Sequence, residues 1–210
     1  MFEVSVNVSG QEFSDLAAGL KSAPEGISKG ISQSGPLVSK EVRDGLNKVF
    51  RELEARHSKA WSWGSQSDSL HKRSGAGLAS IKRSIAVRGG SLDSIIGSIS
   101  TGTMGIHETG GTITPKRSKY LAIPLQAALS SKGIPLRNRP RDWNGGFVFR
   151  SKKGNLIIGR RKVGEGIEPL YVLKKSVTIK SRLGLNDAME KGYPQMEAKI
   201  ATALMKSMGV

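Results

Sequence analysis

The chain has 210 residues, a formal net charge of +16, 26 glycines and only 5% aromatic residues, which suits one domain with a modest core and plentiful loops. The absence of cysteine excludes a disulfide framework, thiolate metal ligands and a cysteine nucleophile. No apolar run reaches transmembrane length, and Met1-Phe2-Glu3-Val4 carries neither part of a signal peptide, so a soluble chain made in the cytoplasm is expected.

Taken in chain order, Phe2, Val4, Val6 and Val8 alternate with polar residues and predict a half-buried or edge strand. Ser9 and Glu12 stand in capping-box spacing ahead of Phe13, Leu16, Ala17 and Leu20, which predicts a short helix. The Gly/Ser-rich stretch from Ser22 to Gly35 reads as a loop or broken helix. After Ser34-Gly35-Pro36, the residues Val38, Val42, Leu46, Val49, Phe50 and Leu53 share one helical face, opposite Lys40, Arg43, Asp44, Lys48 and Glu52. This should be the longest helix. Trp61-Ser62-Trp63 lies in a polar segment, either as a lid over the core or as a binding platform. Leu78, Ile81 and Ile85 predict a second amphipathic helix closed by Gly89-Gly90.

The second half turns to strands: Ser94 to Thr101, Thr112 to Thr114, Tyr120 to Pro124, Leu170 to Leu173 and Val177 to Ile179. Phe147–Arg150 and Leu156–Gly159 flank Ser151-Lys-Lys-Gly-Asn155 as a hairpin with a five-residue turn. From Asn186 the chain reads as helix in two pieces, split by Gly192 and Pro194, with Met196, Ile200 and Leu204 on one face.

The charge is concentrated. Between Pro115 and Lys162 there are 13 lysines and arginines against one acid, Asp142, so this segment holds three quarters of the net excess. Arg137, Arg139 and Arg141 beside Trp143, followed by Arg150, Lys152, Lys153, Arg160, Arg161 and Lys162, form a basic stretch suited to a phosphate backbone or an acidic protein surface.

Catalytic chemistry is thinly represented. His57, His71 and His107 fall in three separate segments, and His57 and His71 read as surface or capping residues. His107 and Glu108 are adjacent, and on a strand they would point to opposite faces. Neither a phosphate-binding loop nor a dinucleotide fingerprint is present, and no catalytic residue, metal or cofactor is expected.

Several segments together resemble the virion-morphogenesis or tail-completion proteins of long-tailed phages and prophages, the Mu-like branch included. They are Val49-Phe50-Arg51 followed by Trp61, and Arg73-Ser74-Gly75 with Leu78 and Ser84-Ile85, similar to Thr-Gly-x-Leu-x-x-Ser-Ile. Next comes Ile106-His107-Glu108-Thr109-Gly110-Gly111-Thr112-Ile113, leading through Pro115-Lys116 to Leu121-Ala122-Ile123-Pro124, where the family has a strand and a Gly-Gly turn. Leu170 to Ile179 resembles its closing strands. Departures are Ser74 for Thr, Lys180-Ser-Arg-Leu-Gly184 in place of Pro-Arg-x-Phe, and an insertion from Gln126 to Asn155.

The expected fold is α+β: an antiparallel, partly open sheet packed against a long N-terminal helix and a C-terminal helix. One domain, 1–210, is expected, with a basic hairpin insertion at about 126–162 and a helical tail at about 186–207. The resemblance implies a non-catalytic, ring-forming neck subunit of the virion, assembled in the host cytoplasm. Its partners would be copies of itself, other neck, portal-connector or tail proteins, and genomic DNA in the channel. The alternative is a nucleic-acid-binding module using the basic 115–162 segment.

Overall fold

The computed structural model describes residues 2–5, 30, 33–64, 68–89 and 95–207, so the valine pattern beyond Ser5 and the expected helix at 9–20 lie outside the described residues. The fold is α+β, with open antiparallel sheets. Backbone packing divides the chain into two compact units interleaved in sequence. The first comprises Met1–Arg56, Ala76–Glu108 and Gly184–Val210, the second His57–Gly75 and Thr109–Leu183.

The first unit is built on α1 (Gly35–Arg56). Pro36 sits in its first turn, where the missing amide has no intrahelical partner to lose. Val38, Val42, Leu46, Val49, Phe50 and Leu53 are all buried, as the 3.6-residue period requires, while Lys40, Arg43, Asp44, Lys48 and Glu52 are exposed. This face packs on a sheet of order β1-β3-β2, made of β1 (Phe2–Ser5), β2 (Ala86–Arg88) and β3 (Ile96–Ile99), and on the C-terminal helix. Between α1 and β2 runs α2 (Ala76–Ser84), with Ile81 in the core. The expected second helix therefore stops at Ser84, and Gly89, at φ 96°, follows strand β2 instead of closing a helix. The Ser84 hydroxyl, with its one proton shared between the Ile81 (2.7 Å) and Ser100 (3.1 Å) carbonyls, accepts from the Ser100 amide and joins the helix end to the chain after β3.

Two further expectations fail for identifiable reasons. The segment Gly105–Thr109 is not a strand but a short helix, α3. From it the Glu108 carboxylate accepts the amide protons of Leu185 (Oε2, 2.9 Å) and Asn186 (Oε1, 2.9 Å) at the start of α4 (Leu185–Ser207). Glu108 is thus an N-terminal cap supplied from a distant part of the sequence, its charge matched to the positive end of the helix. Second, α4 does not break at Gly192 and Pro194. It runs unbroken for 23 residues, one more than α1. Pro194 and Glu190, whose carbonyl loses its amide partner, are both exposed, so water can take the freed bond. Gly192 is a packing residue: a Cβ there would lie 2.8 Å from Val49 Cγ2 on α1, just as one on Gly45 would lie 2.5 Å from Met196 Sδ.

Replacing Glu108 by alanine should cost about 1–2 kcal/mol, since two charge-assisted bonds to orphan amides are lost at once. Urea unfolding of Glu108→Ala, with Glu108→Gln retaining part of the loss, checks this; an unchanged midpoint would exclude the capping role.

The second unit holds two sheets. Strand β4 (Gly111–Ile113) pairs with β9 (Val177–Ile179), and β5 (Leu121–Pro124), β6 (Gly146–Arg150), β7 (Leu156–Lys162) and β8 (Gly166–Lys174) form a sheet of order β5-β8-β7-β6. The β6–β7 hairpin matches the expectation, but β7 and β8 extend beyond it and form a second hairpin through Val163-Gly164-Glu165. Pro169 is accommodated inside β8 because the β7–β8 register slips between Ile158 and Gly159, the position it faces. Ahead of these sheets, Trp61 lies against Gly133 and beneath the Arg73 guanidinium, 5.2 Å from its ring centroid, whereas Trp63 meets it edge-on at 6.3 Å. His57, read from the sequence as a surface or capping residue, is buried at 2% exposure.

Candidate interaction surface

The basic segment is carried on an ordered scaffold. After β5, the chain makes a 3-10 turn at Gln126–Ala128, a second at Pro140–Asp142, and returns to the sheet at Trp143. Trp143 is buried with Ala128, Leu170 and Tyr171, against Ala122, Ala127 and Ile158, and its indole N–H donates to the Tyr171 hydroxyl at 3.1 Å. A tryptophan in a Pro/Gly-rich stretch needs such an acceptor once its ring is buried. The insertion is therefore anchored on the sheet by Trp143 together with Ala127 and Ala128.

Trp143 also gathers two of the expected cations. The Arg160 guanidinium lies 4.8 Å from a Trp143 ring centroid and that of Arg137 lies 6.0 Å away. Arg160 is in addition held by Glu168, its cross-strand neighbour, through Nε–Oε2 at 2.7 Å. This half-exposed pair orders the arginine more than it stabilises the fold. Lys162 pairs with Glu165 at 2.6 Å across the β7–β8 turn. The hydrogen bond that the Lys162 ammonium donates to Glu165, together with the carboxylate's charge, holds the Lys162 pKa above its ordinary value.

Seven of the nine candidates, Arg137, Arg139, Arg141, Arg150, Lys152, Lys153 and Arg161, are exposed and have no acidic partner among the described residues. Asp142, the lone acid among them, spends one oxygen on the Arg139 amide at 2.9 Å. Arg150 ends β6 and donates to the Gly154 carbonyl at 3.0 Å, while Lys152 and Lys153 form the tip of a turn closed by Ser151 and Asn155. Register sets Arg150 opposite Leu156 and Gly146 opposite Arg160. At the strand rise this places the turn cations about 13 Å from the Trp143–Arg160 group. Arg150 and Arg160 share one sheet face and Arg161 lies on the other.

No protein-family model, curated protein or solved structure matches the chain. The reading of the site rests on its own geometry. Among the described residues no group of three or more His, Asp or Glu is placed to hold a metal ion, and no helix is long and apolar enough to cross a membrane. Sequence reasoning found the cations but missed Glu168, Tyr171 and Val148. Glu168 lies on the part of β8 that precedes the strand expected at Leu170 to Leu173, the Tyr171 hydroxyl meets its partner from a distant segment, and Val148 reads as an ordinary strand residue although it is 60% exposed.

Proposed function

We propose that this chain is a non-catalytic, ring-forming structural subunit of a long-tailed phage virion, acting at the neck in tail completion or head-tail joining. The observation that carries the oligomeric part is the β4–β9 ladder. It has three residues per strand, and all of β4 is exposed, including Ile113. A two-stranded ladder of that length is marginal in water, and continuation by a neighbouring copy would complete it. Repetition of one such contact around an axis closes a ring. The neck assignment draws on the resemblance at Val49 to Arg51, Arg73 to Ile85, Ile106 to Pro124 and Leu170 to Ile179. Its partners are further copies, portal-connector or tail proteins, and channel DNA.

The mass of the purified protein in solution, with and without duplex DNA, tests this. A closed oligomer supports the reading. A monomer at all concentrations that binds duplex DNA with a steep salt slope supports the second reading, a nucleic-acid module, which the seven unpaired cations favour. Neutralising Arg137, Arg139 and Arg141 together should impair head-tail joining while leaving heads and tails intact. Under the second reading the same variant should lower the salt slope by about 3.

A further inference from the structure

Among the described residues, strand β6 closes one side of its sheet and pairs only with β7. The Ser151 amide donates to the Asn155 carbonyl at 2.9 Å, which fixes the hydrogen-bonding phase of the hairpin. Stepping back by twos puts Phe149–Ile157 and Phe147–Gly159 in the bonded positions. The amides and carbonyls of Val148 and Arg150 then point away from β7, and no other group among the described residues takes them. At the start of the strand, the outward Gly146 amide is already bonded to the Trp143 carbonyl.

Side chains around this edge favour one kind of occupant. Val148 offers an exposed apolar site at the strand centre. Arg150, Lys152 and Lys153 stand exposed at one end, and Arg139 and Arg141 precede the other, none with an acidic partner among the described residues. Unpaired backbone groups, an apolar centre and positive flanks are complementary to an extended segment with acidic residues around a small apolar one. A second copy is disfavoured, because its own β6 edge would bring like charges together. We propose that the free edge of β6 is a docking site for an acidic, extended segment of a partner protein, which adds to the sheet as a fifth strand. This goes beyond ring formation and does not depend on it.

The probe is a capped peptide of alternating glutamate and valine, about seven residues long to span the strand. It is tested beside the same sequence with alternate backbone amides N-methylated and beside a short DNA duplex. Strand addition predicts slowed hydrogen exchange at the Val148 and Arg150 amides, and at least about tenfold weaker binding of the N-methylated peptide. Val148→Pro should produce a similar loss with the far-ultraviolet spectrum unchanged. Since the peptide arm acts on the native protein, a misfolded variant does not blunt the test. Equal affinity for both peptides would overturn the proposal in favour of plain charge attraction. Duplex DNA slowing exchange at the same two amides would overturn it in favour of a phosphate ligand. Protection that grows with protein concentration in the absence of peptide would assign the edge to a second copy.

Discussion

Replacing His57 by alanine is expected to cost roughly 3–5 kcal/mol. Its ring is a two-ended clip. The Leu70 amide donates to Nδ1 at 3.0 Å, which leaves the proton on Nε2, and Nε2 donates to the Leu183 carbonyl at 2.9 Å. The neutral imidazole thereby ties together backbone segments 13 and 126 residues away from it. Alanine removes both partners and leaves a void. Each backbone group stranded away from water costs about 1–3 kcal/mol, and the lost packing adds to that. Chemical unfolding measures the total, and faster exchange at the Leu70 amide isolates the clip. His57→Gln, which keeps a donor and an acceptor, should recover part of the loss. A change under about 0.5 kcal/mol for His57→Ala would mean that the histidine behaves as a surface residue.

Why that clip was illegible in the sequence is a matter of range. His57 follows the charged end of α1 and looks like any residue at a helix terminus, while its acceptor lies more than a hundred residues further on. Glu108 is similar: nothing near Gly105–Thr109 announces that its carboxylate caps α4, and five residues with glycine at the start carry no helical period. Periodic signals fared better because they depend on local geometry alone. The buried stripe of α1, the alternation of β6 and the Ser151-to-Asn155 turn all follow from repeat lengths of 3.6 and 2. Proline misled the reading at Pro194, since its penalty depends on whether the orphaned carbonyl meets water. The site was half legible. A run of cations is visible in composition, but which are committed to Glu165, Glu168 and Trp143 depends on a hairpin whose second strand begins ahead of the one expected at Leu170 to Leu173.

Trp143→Ala should cost about 3–5 kcal/mol and, more tellingly, should release the insertion that carries Arg137, Arg139 and Arg141. The indole fills the cluster with Ala128, Leu170 and Tyr171, and its ring is the surface on which the Arg137 and Arg160 guanidinium groups lie. Removing it takes away the packing, the bond to the Tyr171 hydroxyl and the platform for both arginines. Limited trypsin digestion reads this directly, because release of the segment should speed cleavage after the exposed Arg137, Arg141 and Lys132. Trp143→Phe separates the contributions. It keeps most of the apolar burial but loses the N–H bond, so a loss of about 1 kcal/mol with little new cleavage is expected. All seven unpaired cations survive in both variants, and any weakening of polyanion or acidic-peptide binding by Trp143→Ala therefore measures what ordering them is worth. If trypsin cuts Trp143→Ala no faster than the parent chain, the insertion is held by its two 3-10 turns and not by the tryptophan.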